Sequence, residues 1–190
     1  MVKEKIPCAV FISGRGTNLK AIYNYSKNNL SKIDLKLVIS NKSNVPGVKF
    51  ARKNKINTKI INYKNKIKAE NKILEYLKKY NIRLICLAGF MKILSKTFIK
   101  KFKYNILNIH PSLLPKYKGL NTHERAIQNK DQFSGCTVHI VTEKLDSGKI
   151  ILQKRVKIFK RDNAESLSRK ILILENKLYP KAINKLISSL

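Results

Sequence analysis

The stretch Leu84-Ile85-Cys86-Leu87-Ala88-Gly89 carries no charged side chain and no strong hydrogen-bonding one. A strand with one face in water alternates polar and apolar residues. A continuous run like this fits a strand covered on both faces, as in the middle of a parallel sheet. Parallel neighbours need a crossover connection, usually a helix. The rest of the chain has that rhythm. Cys8–Ser13 reads as a buried strand, closed by a turn at Gly14-Arg15-Gly16-Thr17, and Asn18 to about Asn28 as a helix. Leu35–Ser40 is a second strand, Pro46-Gly47 precedes a short helix to Lys53, and Lys59–Ile61 is a weak third strand. Ile67–Tyr80 is an amphipathic helix with Ile73, Leu74 and Leu77 on one face. Past the central run, a short helix at Ser95–Phe102 leads to a strand at Asn105–His110, the rigid loop Pro111–Pro115 and a helix near His123–Asn129. Two long strands, Cys136–Thr142 and Lys149–Ile158, come next; the second alternates as a half-exposed antiparallel strand does. A helix over Asn163–Ser189 ends the chain, with Pro180 as a point where it can kink. The pattern predicts an α/β fold: a mostly parallel twisted sheet, an antiparallel C-terminal strand, and helices on both faces.

Charge is the unusual property. The 190 residues include 41 Lys and Arg against 11 Asp and Glu, a net +30. Nucleic-acid binders are often this basic. Yet 34 of the cations are Lys, spread along the whole chain, and clustered Arg is missing. Lys, Asn and Ile make up 78 residues, all with A/T-rich codons, so compositional drift accounts for the charge. No specific nucleic-acid partner is expected. No run of 18 apolar residues occurs, and Met1–Pro7 lacks the pattern of a secretory leader, so no membrane span and a cytoplasmic location are expected. Cys8, Cys86 and Cys136 are too few and scattered for a disulfide frame and read as buried free thiols.

Three segments could carry chemistry. Ser13-Gly14-Arg15-Gly16-Thr17-Asn18 lies between a strand and a helix, where glycines let backbone N–H groups approach an anion. It matches neither a dinucleotide nor a nucleoside-triphosphate fingerprint, which favours a phosphate monoester. It also fits a plain turn with Thr17 or Asn18 as helix cap. Asn108 and His110 end a strand two residues apart and share a face, an arrangement suited to a developing oxyanion. It fits a structural histidine equally. Asp146, in Leu145-Asp146-Ser147-Gly148, is either a turn residue or a partner that holds His110 charged. His123 and His139 show no metal-ligand spacing, so no metal is expected.

These segments, with Leu87-Ala88-Gly89-Phe90-Met91-Lys92-Ile93-Leu94, Asn108-Ile109-His110-Pro111-Ser112-Leu113-Leu114-Pro115 and Gly119-Leu120-Asn121-Thr122-His123, occur in an order that resembles the phosphoribosylglycinamide formyltransferases. The resemblance runs from the first strand to Tyr179-Pro180. It implies a single Rossmann-like formyltransferase domain over 1–190, with a phosphate-binding half at about 1–100, a folate and catalytic half at about 84–160, and a C-terminal helix at about 163–189. The implied reaction moves the formyl group of 10-formyltetrahydrofolate, a co-substrate, to the amine of glycinamide ribonucleotide in purine (IMP) biosynthesis. By the same resemblance Asn108, His110 and Asp146 are catalytic. Gly16, Thr17, Asn18 and Glu175 bind the ribonucleotide, and Met91, Lys92, Ile93, Leu94 and Asn108 bind the folate. A monomer or homodimer is implied.

Departures from the family pattern occur at Lys66–Lys68, where some relatives have an Arg near the folate, and at Leu172, where relatives have a Gln beside the residue matching Glu175. The chain also stops at Leu190, short of the family's tail strand, which reads as a minimal version of the fold. A formyltetrahydrofolate hydrolase or a minimal tRNA formyltransferase core shares the Asn-x-His-Pro motif. Those relatives carry an extra domain, for which 190 residues leave no room. A basic nucleic-acid-binding module is the distant alternative.

Overall fold

The computed structural model describes residues 4–189; Met1–Lys3, where the leader question begins, and Leu190 lie outside the described residues. Thirteen elements alternate as the apolar rhythm predicts. They are β1 (Ile6–Ile12), α1 (Thr17–Lys27), β2 (Ile33–Ser40), α2 (Pro46–Lys53), β3 (Asn57–Ile60), α3 (Lys66–Lys79), β4 (Leu84–Leu87), α4 (Lys96–Lys101), β5 (Asn105–His110), α5 (Thr122–Gln128), β6 (Phe133–Ile140), β7 (Ile150–Lys157) and α6 (Ala164–Ser188). The sheet order is β3-β2-β1-β4-β5-β6-β7. β1 pairs in parallel with β2 and β4, and β2 with β3, while β7 runs antiparallel to β6 at the edge.

The chain divides into two compact units, one up to Leu107 and one from Asn108 onward, so β5 contributes to both. In the first, every residue of β4 is buried, as its unbroken apolar run requires. Strand order reverses between β1 and β4, so the loops leaving their carboxyl ends flank a switch point, where sheets of this kind bind ligands.

In the second unit α6 packs on β6, β7 and α5. Its buried positions, Leu167, Ile171, Glu175, Leu178, Tyr179, Ala182, Ile183 and Leu186, recur every three or four residues. The helix runs through Pro180 without a break. Buried side chains on both sides of the proline hold it.

Several boundaries differ from the sequence pattern. β4 stops at Leu87 because the chain turns at Gly89, whose φ of 74° no strand residue adopts. Pro46 and Gly47 open α2 instead of preceding it, proline suiting the first turn of a helix. β7 alternates less simply than expected. The register shifts between Val138 and His139, whose partners are Leu152 and Ile150, and this leaves Ile151 as the extra residue. Ile151 is consequently buried and Ile150 exposed. All three cysteines are free and buried, and burial next to Glu175 pushes the Cys136 thiol up to about 12.

A latch precedes α6. Asn163 and Ser166 form a capping box. Asp162 accepts from Lys170 Nζ at 2.5 Å and from Phe159 N–H at 2.8 Å. These contacts, the lysine first, lower its carboxyl from 3.8 to about 2 against the opposing effect of burial. A lowered folded-state value stabilises the fold above the unfolded value and loses that effect as pH falls through the folded one. Asp162→Asn should therefore lower the urea midpoint at neutral pH. The gap to the parent should close as pH drops from about 4 to about 2; a gap independent of pH would show that the latch is not ionic.

Candidate active site

At the switch point, Gly16 is the N-cap of α1 in a left-handed conformation, φ 73° and ψ 28°, and provides no side-chain cap. Thr17 and Asn18 are the first helical residues, not caps, which corrects that reading of the sequence. The loop is held open by contact with a second glycine. A Cβ on Gly16 would lie 2.6 Å from the Gly47 Cα, and one on Gly47 would lie 2.7 Å from Ile12 Cδ1 and 2.9 Å from Gly14 O. Gly47 N–H donates to Gly14 O at 3.0 Å. The first N–H groups of an uncapped helix, reached over glycine, are suited to a phosphate. The sequence pattern assigned Gly47 no role beyond preceding a helix.

The loop after β4 lies on the other side of the switch point. Ala88 N–H donates to Phe11 O at 2.8 Å, and Met91 N–H to Ser13 Oγ at 2.8 Å. Of the four residues expected to bind folate here, Met91, Lys92 and Ile93 are exposed and Leu94 is packed into the core. Lys66–Lys68 form the exposed first turn of α3, capped by Asn65.

In the second unit Asn108 and His110 do end a strand together, and Asp146 reaches them through the fold. His110 Nδ1 lies 3.5 Å from Asp146 Oδ2, and His139 Nε2 lies 3.6 Å from Asp146 Oδ1. Asn108 Nδ2 is 3.2 Å from His139 Nε2. The result is a chain of polar groups, Asn108–His139–Asp146–His110, in which both histidines and the aspartate are buried. Glu175 is buried on α6, its charge acting on Cys136 of β6.

Carbonyl neighbours fix where the protons sit. His110 Nε2 is 2.8 Å from Tyr117 O, and His139 Nδ1 is 3.0 Å from Ile140 O. A carbonyl only accepts, so both nitrogens carry hydrogen. The open nitrogens, His139 Nε2 and His110 Nδ1, then both face the Asp146 carboxylate, and Asn108 Nδ2 stands beside the first. Burial pushes the Asp146 carboxyl up. The facing His139 ring, Gly119 N–H donating at 2.9 Å and the neighbouring His110 outweigh it and leave it lowered. His123 is shifted down by burial, Glu124 opposing and His110 assisting, which favours its neutral form. Among the described residues no group of three or more His, Cys, Asp and Glu side chains could hold a metal ion.

The loop between β5 and α5 is fastened from the strands beside it. Thr137 Oγ1 donates to Ser112 O and accepts from Leu114 N–H, and Gln153 Nε2 donates to Leu114 O and to Thr137 Oγ1. The Leu114–Pro115 peptide is cis. Sequence reasoning weighed His139 only as a metal ligand and gave it no place beside Asn108. No local pattern marks it: it stands near the carboxyl end of β6 at the register shift, with Asp146 3.6 Å from its ring.

A twisted α/β sheet with a carboxylate-linked histidine pair at the carboxyl end of a strand is the framework of an α/β enzyme. The chain belongs to the formyl transferase family, whose profile matches residues 6–183. It is 38% identical over 178 residues to the phosphoribosylglycinamide formyltransferase of Escherichia coli, covering 92% of this chain and 84% of that one. It is 41% identical over 183 residues to the trifunctional purine biosynthetic protein adenosine-3 of Gallus gallus, covering 95% of this chain but only 18% of that much longer protein. The crystal structure of the phosphoribosylglycinamide formyltransferase from Anaplasma phagocytophilum superimposes with a TM-score of 0.91 at 38% identity, over 98% of this chain and 88% of that one.

The Gly16–Gly47 contact makes a prediction with a definite sign. Alanine at an ordinary helical position should stabilise relative to glycine by ~1 kcal/mol. At position 47 a Cβ would meet backbone, which cannot yield. Gly47→Ala should therefore lower the urea midpoint despite the better helix former. A midpoint at or above that of the parent would mean that the two glycines are not in contact.

Proposed function

We propose that this chain transfers the formyl group of 10-formyltetrahydrofolate to the amine of glycinamide ribonucleotide, as the names of its relatives indicate for them. The observation that carries the reading is the Asn108–His139–Asp146–His110 chain of contacts at the end of β5. The incoming amine must lose a proton, the formyl oxygen must accept negative charge as the tetrahedral centre forms, and the leaving folate nitrogen must gain a proton.

The residues present suit each need. An amide nitrogen has two donors, and contact with His139 uses one of those on Asn108, so the second can donate to the oxyanion. His139 fixes the orientation of that amide. With a proton on Nδ1 as well as Nε2, His110 places a positive charge beside Asp146 that offsets the developing negative charge. Asp146, ionised at neutral pH, holds that charge in place and orients a water that moves the proton from amine to folate nitrogen. Gly16, Thr17 and Asn18 hold the ribonucleotide phosphate at the start of α1, and Glu175 takes the ribose hydroxyls. Exposed Met91 and Ile93 offer the apolar surface that a flat pterin ring requires, with Lys92 beside them and Leu94 anchoring the segment in the core. The reaction belongs to the cytoplasm, and no helix of the described residues is long and apolar enough to cross a membrane.

A panel of glycinamide ribonucleotide, initiator tRNA and water as formyl acceptors tests the assignment. Turnover with the ribonucleotide is expected. Turnover only with water or tRNA would replace the reading with the hydrolase or the tRNA enzyme. Asn108→Ala should lower kcat by ~10²–10³. His110→Ala and Asp146→Asn should each lower it by ~10²–10⁴ while circular dichroism stays unchanged. If Asn108→Ala raised only the folate KM, Asn108 would be a binding group and not an oxyanion donor.

A further inference from the structure

Between β4 and α4 the chain is irregular from Ala88 to Ser95, yet it presents two large apolar side chains, Met91 and Ile93, at 66% and 67% exposure. A segment with no ladder of its own stays ordered only if side chains elsewhere hold it. Two buried polar side chains do so, one near each end.

The first is Ser13, at 5% exposure. Its hydroxyl donates to Asn41 Oδ1 at 2.5 Å and accepts from Met91 N–H at 2.8 Å. Ser13 follows β1 and Asn41 follows β2, so one hydroxyl joins the ends of two strands to the segment after β4. It also stands directly before the Gly14–Gly16 turn.

The second is Glu70, also at 5% exposure, on the buried stripe of α3 with Ala69, Ile73 and Leu77. One carboxylate oxygen accepts from Ser95 N–H at 2.8 Å and the other from the Ser95 hydroxyl. Ser95 in turn caps α4 by accepting from Phe98 N–H. Burying a carboxylate is costly, and a leucine would complete the apolar stripe of α3 more cheaply. The carboxylate is therefore explained by what it holds. Just before the first pin, the Phe90 ring stands edge-on to Phe11 at 5.4 Å and to Tyr63 at 5.6 Å.

We propose that Ser13 and Glu70 are positioning residues that fix the segment Gly89–Leu94 from its two ends, so that Met91 and Ile93 meet the folate in a preset geometry. The inference rests on reading this segment as the folate-facing one. Preset geometry raises affinity because less ordering remains to be done on binding. Ser13 does this from the base of the phosphate loop, Glu70 from a helix that carries none of the proposed reacting groups.

Four variants of the full chain separate this role from plain stability. Glu70→Leu and Ser13→Ala remove a pin; Glu70→Gln and Ser13→Thr keep it, since a glutamine can accept from Ser95 N–H and donate to its hydroxyl. Removing a pin should raise the folate KM by roughly five- to tenfold, the worth of one hydrogen bond, with kcat at saturating folate little changed. Glu70→Leu should leave the ribonucleotide KM unchanged. Amide hydrogen exchange should quicken at Met91 in Ser13→Ala and at Ser95 in Glu70→Leu, and the conservative variants should restore both readouts. The melting temperature of Glu70→Leu should not fall, because the stripe gains apolar packing. A folate KM unchanged in both pin-removing variants would overturn the proposal, and so would unchanged exchange at both amides. Should the parent protein fail to bind formyl folate at all, the proposed function falls, while the exchange data still decide whether the pins order the segment.

Discussion

The carboxylate of Asp146 accepts a hydrogen bond from Gly119 N–H and faces one nitrogen of each of two imidazoles. Each imidazole has its other nitrogen committed to a backbone carbonyl, Tyr117 O for His110 and Ile140 O for His139. A ring tied in this way has only one nitrogen left to change its protonation, and here that nitrogen points at Asp146. The position of one side chain thus sets the proton arrangement of the whole cluster. Asp146 is held in the left-handed region, φ 45°, in the turn between two antiparallel strands. Aspartate tolerates that region better than most residues, so the turn serves the site without much strain. Burial alone would favour a neutral carboxyl; the three groups around it reverse that preference.

In the first unit the proposed phosphate site is made by subtraction. A phosphate carries its own charge and needs donors, which a helix N-terminus supplies if no side chain occupies it. The device is absence of Cβ at two positions that touch, Gly16 and Gly47, one needing a left-handed backbone and the other a close approach. Since β1 and β4 lie where strand order reverses, the loop so formed and the Gly89–Leu94 segment leave adjacent strands. Ser13 then joins them with one hydroxyl, at no cost in chain length.

What could be read from the sequence follows the range of the interaction. Strand cores such as Leu84–Leu87 announce themselves through local hydrophobicity, and the shared face of Asn108 and His110 follows from strand geometry two residues apart. The turn after β1 was visible because Gly14 and Gly16 stand only one residue apart. Nothing local tells that Gly47 touches Gly16, that His139 lies between Asn108 and Asp146, or that Glu70 caps a serine 25 residues on. Those contacts depend on how strands and helices are brought together, and single residues carry no trace of them. Glu70 in particular looks like one more polar residue on an amphipathic helix until its burial is seen.

Charge separates what drifts from what is fixed. All 41 basic residues contribute to the +30, yet among the described residues no Lys or Arg is buried. Of only 11 acidic residues, three are buried: Glu70, Asp146 and Glu175. Adding lysine to a solvated surface costs a fold little, because the ammonium keeps its water and salt screens it beyond about 8 Å. A buried carboxylate has no such freedom, since its partners must be in place before it can be tolerated. A composition pushed toward lysine therefore changes the surface potential, and with it the rate at which anionic substrates arrive. It leaves the interior carboxylates where the geometry demands them. On this chain the proposed reacting and positioning acids are the scarce charges that are buried, and the abundant lysines lie on the surface.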